Sequence, residues 1–338
     1  MKKRNNRKVV VGISGGVDSS VSLAILKERG FSPVGVFLKF WGKDNSCCGS
    51  EAERRARKVC DLMDVPFYTM DVRREFKERV VDYFLESYER GETPNPCVVC
   101  NPEIKFKTLF DKLKALDGRF VATGHYVKVK DQKMLEAEDK KKDQSYFLWN
   151  LKKRDLKRVV FPLGELTKKE VRKKAKKLNL PTSEISESQE ACFIGGGLES
   201  FLDGCIDLIP GPIEDVNGNQ LGEHIGLPLY TKGQRKRIGL SGGPFYVLEK
   251  DEERNVLTVT EDRSDLEERR VIFRNPNFFE KVTDSKKLKA KIRYNSPAKE
   301  GVLKDNEFIF SEPRLAITPG QSIVFYDGDK LIGGGIIS

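Results

Sequence analysis

Gly12-Ile13-Ser14-Gly15-Gly16-Val17-Asp18-Ser19-Ser20 is the stretch on which the reading of this chain turns. Before it, residues 8–13 form a short apolar run with the length of a buried strand. After it, residues 19–29 place Val21, Ala24 and Ile25 at helical spacing. A small-residue loop between a strand and a helix lets backbone N–H groups close around a phosphate, and the helix N-terminus adds positive potential. The string lacks the Gly-Lys-Ser/Thr of the kinase-type loop and the glycine spacing of the dinucleotide fingerprint. The bland alternative is a tight turn capped by Asp18 or Ser19.

Working outward, strands are expected at residues 34–40, 67–72 and 119–123, and helices at 51–63, 74–90 and 106–116. The alternation predicts an α/β domain with a parallel sheet, whose ligands bind at the carboxyl ends of its strands. After about residue 200 the texture changes. Pro210-Gly211-Pro212 and Asn217-Gly218-Asn219 mark turns. Short alternating runs follow at 245–248, 256–260, 288–294, 308–310 and 323–326. These predict a small central domain and a C-terminal β-barrel, with boundaries at 1–204, 205–268 and 269–338.

The chain has 338 residues, 33% of them charged, and a formal net charge of +10, a balance that suits a nucleic-acid partner. Residues 165–178 hold seven Lys/Arg against two Glu, which reads as a phosphate-backbone contact or a solvated helix face. No apolar run is long enough for a membrane helix. The basic start, Met1-Lys2-Lys3-Arg4-Asn5-Asn6-Arg7, lacks the apolar stretch of a secretory signal, so a cytoplasmic protein is expected.

Seven cysteines, an odd number, argue against a disulfide framework. Cys97-Val98-Val99-Cys100 follows Thr93-Pro94-Asn95-Pro96 and opens a helix. With Lys105 nearby, these thiols are expected to have lowered pKa values. The pair can be redox-active, half of a zinc site or chance; Cys47-Cys48 is the only other close pair. Cys192 lies in Ser188-Gln189-Glu190-Ala191-Cys192-Phe193-Ile194-Gly195, and further glycines follow at 196 and 197. That composition suits a loop able to swing a thiol.

The Ser-Gly-Gly-x-Asp-Ser string resembles the PP-loop of ATP pyrophosphatases. Together with the two cysteine segments it resembles the tRNA-specific 2-thiouridylase family over almost the whole chain. The resemblance extends to Phe37-Leu38-Lys39-Phe40-Trp41, Ala122-Thr123-Gly124-His125-Tyr126, Lys142-Asp143-Gln144-Ser145-Tyr146-Phe147-Leu148, Thr231-Lys232-Gly233-Gln234-Arg235-Lys236 and Thr318-Pro319-Gly320-Gln321-Ser322. It implies that Gly12, Ile13, Ser14, Gly15, Gly16, Val17, Asp18, Ser19, Leu38 and Gly124 bind ATP, with Mg²⁺ on the pyrophosphate. It implies that Asn95, Pro96 and Cys97 meet the target base, that Cys100 is the nucleophile and that Cys192 carries a persulfide. His125, Lys142, Asp143, Gln144, Arg293, Tyr294 and Gln321 are implied contacts to tRNA. The family pattern has aspartate where this chain has Cys97. That departure raises an alternative in which Cys97, Cys100 and Cys192 hold a [4Fe–4S] cluster. The implied reaction adenylates O2 of the wobble uridine and then transfers sulfur to C2. The implied partners are tRNAs such as those for Glu, Gln and Lys, and a sulfur donor such as a cysteine desulfurase or relay protein.

Overall fold

Val9, Val10 and Val11 have no solvent exposure and form the middle of the first strand. In the computed structural model, which describes residues 7–41, 49–185 and 191–338, this strand is β1 (Lys8–Gly12). It is followed by α1 (Val17–Glu28), β2 (Ser32–Lys39), α2 (Ser50–Leu62) and β3 (Phe67–Asp71). The Cys47-Cys48 pair, the basic start before Arg7 and Ser188-Gln189-Glu190 lie outside the described residues. No helix among the described residues is long and apolar enough to cross a membrane.

The next helical stretch was expected to be continuous over 74–90. It is instead α3 (Arg73–Phe76), a π-helical turn (Lys77–Val81) and α4 (Asp82–Glu89). The cysteine segment behaves similarly. Helix α5 (Pro96–Cys100) passes through a second π turn (Asn101–Phe106) into α6 (Lys107–Ala115). Pro102 has no N–H to donate and its ring crowds the carbonyl four residues back, so the widened turn relieves a conflict that a regular helix would retain.

The chain divides into two compact units. The first comprises Met1–Val81, Pro96–Ile194 and Asp329–Ile332. Its sheet adds β4 (Phe120–Ala122) and, beyond the hairpin β5 (Lys128–Lys130) and β6 (Lys133–Leu135), β7 (Val159–Val160). The order is β3-β2-β1-β4-β7, all parallel. Val10 pairs with Val34 on one side and Val121 on the other. The sequence order therefore reverses at β1, and the crevice for a ligand falls at the carboxyl end of that strand. Helix α1 is buried along Val17 and residues 19–26. Leu23 and Leu26 face the sheet core with Val9, Val11 and Phe37. Val21 and Ile25 pack with Val171 and Ala175 of α7 (Lys168–Lys177).

The second unit comprises Asp82–Asn95, Gly195–Gly328 and Gly333–Ser338. After α8 (Leu198–Asp203) come β8 (Gly211–Glu214), β9 (Gln220–His224), β10 (Tyr246–Asp251) and β11 (Val256–Thr260), ordered β10-β11-β8-β9. Ile213, Tyr230, Val247 and Leu257 fill this small core. Then follow β12 (Glu267–Phe278), β13 (Lys286–Lys291), β14 (Lys299–Lys304), β15 (Glu307–Leu315), β16 (Ser322–Asp327) and β17 (Lys330–Ile337). They run β12-β15-β14-β13-β16-β17, and β12 pairs back onto β17, which closes the expected barrel with six strands. Phe273, Phe308 and Phe310 fill it around Phe325 and one another, with ring centroids 4.8–5.4 Å apart.

Candidate active site

The glycine loop leaves β1 with Ile13 N–H still bonded to Val36 O, at 2.9 Å. Gly15 then takes φ +76°, and a Cβ there would lie 2.3 Å from the carbonyl oxygen of Ala52, so only glycine fits. The Arg55 guanidinium donates to the Gly15 carbonyl at 3.2 Å. Helix α1 begins at an N-cap of Gly16, and no side chain caps it. The turn capped by Asp18 or Ser19 is therefore not what forms. Ser19 Oγ instead donates to Gly16 O and accepts from Ser14 N–H, both at 3.1 Å. Asp18 accepts from Lys168 Nζ and from the Tyr126 hydroxyl, at 2.7–2.8 Å. The first N–H groups of α1 thus remain available for an anion, reinforced by the helix dipole.

A cavity of about 210 Å³ opens at this end of the sheet. Gly12, Ile13, Ser14, Asp18 and Ser19 line one wall; Val36, Phe37 and Leu38 of β2 give an apolar wall suited to a purine. Gly124 lines it after β4, and a Cβ there would come within 2.8 Å of Ser19 N. His125 and Gln144 also face it. The Thr123 hydroxyl is 2.8 Å from His125 Nδ1, and Phe106 stacks on the ring at 6.2 Å. Burial, aided by the Lys105 charge, holds the His125 pKa well below its ordinary value, so the imidazole is neutral. Gln144 Oε1 accepts from Tyr126 N–H at 3.0 Å.

The cysteines stand beside this cavity's Lys105. Cys100 is buried, while Cys97 and Cys192 are half-buried, and all three are free thiols. Burial pushes the Cys97 thiol up to about 11 and raises Cys100 further; Lys105 pulls both down, and Cys192 pushes both up. The expected lowering is therefore corrected. The lysine acts in the expected direction, but desolvation of a thiolate on the inner face of α5 outweighs it. Cys60 is a core thiol raised to about 12. Among the described residues no group of three His, Cys, Asp or Glu side chains is arranged to hold a metal ion.

Several other expected contacts turn inward. Asp143 is 3% exposed and accepts from Ala137 N–H at 2.8 Å and the Ser145 hydroxyl at 2.6 Å. Lys142 is half-buried, as are Asn95 and Tyr294 in the second unit; Pro96 is buried. Arg293 Nη2 donates to Lys232 O, Ala316 O and Thr318 Oγ1, at 2.9–3.1 Å. Gln321 Nε2 donates to Thr93 O at 2.8 Å. The site also contains Lys168, Tyr126 and Arg55, to which the sequence assigned no role, and Lys105, expected only beside the thiols, lines the nucleotide cavity as well. Tyr126 had a readable signal, following Gly124-His125, but its hydroxyl's reach to Asp18 spans 108 residues.

A strand–loop–helix with an uncapped helix start beside an apolar cavity wall has the layout of a nucleotide site of the PP-loop class. Residues 7–196 match the family model described as tRNA methyl transferase HUP domain. Residues 199–261 match its PRC-barrel domain, and 268–337 match an aminomethyltransferase beta-barrel domain. The tRNA-specific 2-thiouridylase MnmA 1 of Caldanaerobacter subterraneus subsp. tengcongensis is 44% identical over 357 residues, covering 98% of each chain. The MnmA of Carboxydothermus hydrogenoformans is 42% identical over 356 residues, covering 98% of this chain and 97% of that one. A solved 4-thiouridine synthetase–RNA complex with bound ATP aligns with 55% of this chain and 44% of its own, at 20% identity and a TM-score of 0.37. The chain belongs to the tRNA-specific 2-thiouridylase family.

Proposed function

We propose that this protein uses ATP to adenylate O2 of the wobble uridine in tRNA and then replaces that oxygen with sulfur, releasing pyrophosphate and AMP. One observation carries the reading: a single ammonium, Lys105, lines the nucleotide cavity and acts electrostatically on both Cys97 and Cys100. Activation of an oxygen and thiol chemistry therefore belong to one site.

The assignments follow. The residues 12–19 loop, Leu38 and Gly124 hold ATP, with Mg²⁺ on its phosphates. Asn95, Pro96 and Cys97 meet the flipped base, whose unstacking costs a few kcal/mol. His125, Lys142, Gln144, Tyr294 and Gln321 contact the RNA, while Asp143 and Arg293 shape the backbone behind such contacts. The catalytic domain is assigned to residues 1–204, the central domain to 205–268 and the barrel to 269–338. Cys192 carries the outer sulfur of a persulfide. Cys100 attacks the inner sulfur, a disulfide forms, and the outer sulfur leaves as hydrosulfide to attack C2 as AMP departs. A reductant then restores the thiols. The donor is a cysteine desulfurase or a relay protein, the substrates are wobble-uridine tRNAs such as those for Glu, Gln and Lys, and the setting is the cytoplasm.

The test is mass spectrometry of nucleosides from tRNA incubated with the protein, ATP, Mg²⁺, and a desulfurase with cysteine. 2-Thiouridine that requires ATP, Cys100 and Cys192 is the expected product. Pyrophosphate release that yields an amine adduct would make this a ligase instead. Cys97→Ala should keep thiolating in the relay. Loss of bound iron, sulfide and activity together in that variant would replace the relay by a cluster.

A further inference from the structure

Lys105 is the only lysine or arginine on the wall of the nucleotide cavity among the described residues. His125, which shares that wall, is neutral, and Asp18 is already bound by Lys168. Lys105 is also firmly located. Its ammonium donates to Asn101 Oδ1 at 3.1 Å. Asn101 is 1% exposed and its amide donates to Phe147 O at 2.9 Å. Four residues on, Leu109 lies 3.2 Å from where a Cβ on Gly12 would stand. Lys105, Leu109 and Gly12 line the same cavity, so the Lys105 side chain stands beside the point where β1 becomes the phosphate loop.

On the adenylation reading, a nucleotide in this cavity would lay its base against the apolar wall of β2 and its terminal phosphates at the start of α1. The phosphate between them is the α-phosphate. We propose, building on the adenylation reading above, that Lys105 is a further catalytic residue whose ammonium meets a non-bridging oxygen of the α-phosphate. In the first half-reaction the uridine O2–phosphorus bond forms and the phosphorus–pyrophosphate bond breaks. The electron pair leaves with pyrophosphate, and the N3 proton passes to solvent. In the second half-reaction the same phosphate departs as AMP when sulfur bonds to C2. Charge gathers on the same oxygens in both, so one fixed cation serves both. Asn101 holds the ammonium in that position before the nucleotide arrives.

The experiment is equilibrium binding of AMP, adenosine and pyrophosphate to the full chain and to Lys105→Met and Lys105→Arg. Lys105→Met should weaken AMP by at least about 10-fold, the loss of a charge-assisted hydrogen bond. Adenosine and pyrophosphate should change by less than about 2-fold, with intact adenosine binding certifying the fold. Lys105→Arg should recover part of the AMP affinity. AMP affinity unchanged in Lys105→Met, or lost in equal measure with adenosine, overturns the assignment. The binding test needs no tRNA. If the unaltered protein binds AMP through Lys105 yet forms no 2-thiouridine, the failure belongs to the thiolation reading. With tRNA present, the Met variant should lower kcat for pyrophosphate release by about 100-fold and bring the rates with the Sp and Rp α-thio diastereomers of ATP together. A preserved diastereomer preference counts against the contact.

Discussion

The Lys168 ammonium donates to both carboxylate oxygens of Asp18, at 2.8 and 2.7 Å, across 150 residues of chain. The two side chains are 12% and 31% exposed, and the Tyr126 hydroxyl completes the carboxylate's shell. A residue of the phosphate loop is thus set by the first residue of α7, which its own capping box of Thr167 and Glu170 fixes in place.

Removing either partner should leave the other charge sheltered without its opposite charge. Lys168→Met and Asp18→Asn are each expected to cost about 1–3 kcal/mol in urea unfolding. The double variant should cost less than the sum, with a coupling of about 1–2 kcal/mol. Both should cut adenylation sharply while leaving tRNA affinity nearly intact, if the loop positions phosphate as proposed. Additive costs would show that the pair does not act as a unit.

The loop glycines should not be equivalent. Gly15→Ala meets the Ala52 carbonyl at positive φ, and Gly124→Ala meets the backbone of Asp18 and Ser19. Each should destabilise by roughly 2–4 kcal/mol. At Gly16 a Cβ meets only Ser14 Oγ, at 3.5 Å, so Gly16→Ala should cost under about 1 kcal/mol. Thermal melts of the three variants rank them, and an equal loss at Gly16 would contradict the geometry.

The basic run sorts into two sets. Lys174 pairs with Glu28, Lys176 with Glu184, and Arg172 donates to Ser183 O and Ile185 O. Lys169, Lys173 and Lys177 are exposed, about 6 Å apart along one face of α7, and have no ion-pair partner among the described residues. Reversing these three should weaken tRNA binding and reduce the slope of log K against log salt by roughly 2–3. Reversing Lys174 and Lys176 should act mainly on stability. An unchanged slope would make the stripe a solvated face.

Lys250 in the second unit offers a pH test. Its ammonium has no hydrogen-bond partner among the described residues. Burial pushes its pKa from 10.5 down to about 8, while Glu252 and Glu92 pull upward. Between about pH 8 and 10.5 the unfolded chain binds the proton that the folded chain has lost, so stability should rise with pH across that window. Lys250→Met should abolish the rise and stabilise the protein at pH 7 by roughly 1–3 kcal/mol. A variant that keeps the alkaline rise would assign it to another group.

The glycine loop was legible because its chemistry needs small residues between a strand and a helix, and β1, α1 and β11 fall close to where periodicity sets them. The barrel was only half legible. β12 reads EERRVIFRNPNF and β17 reads KLIGGGII, sequences too charged or too glycine-rich to alternate cleanly. Each earns its place through closure, since β12 must serve β15 with its first half and β17 with its second, with a register shift inside each half, at Glu268/Arg270 and at Arg274/Asn277. The π turns escaped because periodicity is blind to one inserted residue. The thiol pKa values escaped because spacing shows a neighbouring lysine but not the desolvation that overrides it. Lys168 stood in plain view in a basic run, and only the fold reveals that its partner is Asp18.

The first unit includes Asp329–Ile332, where Lys330 pairs with Leu135 and Asp329 O accepts from Glu136 N–H. Residues assembled together are therefore synthesised almost 200 positions apart, one before the middle of the chain and the other close to residue 338. At about 5–20 residues per second, the β6 edge waits on the order of ten seconds or more for its last strand. During that interval the nascent chain carries an open sheet edge, the kind of surface that chaperones shield. A ribosome that stalls late in the message leaves the nucleotide-binding unit unfinished, although every residue of its phosphate loop has already emerged.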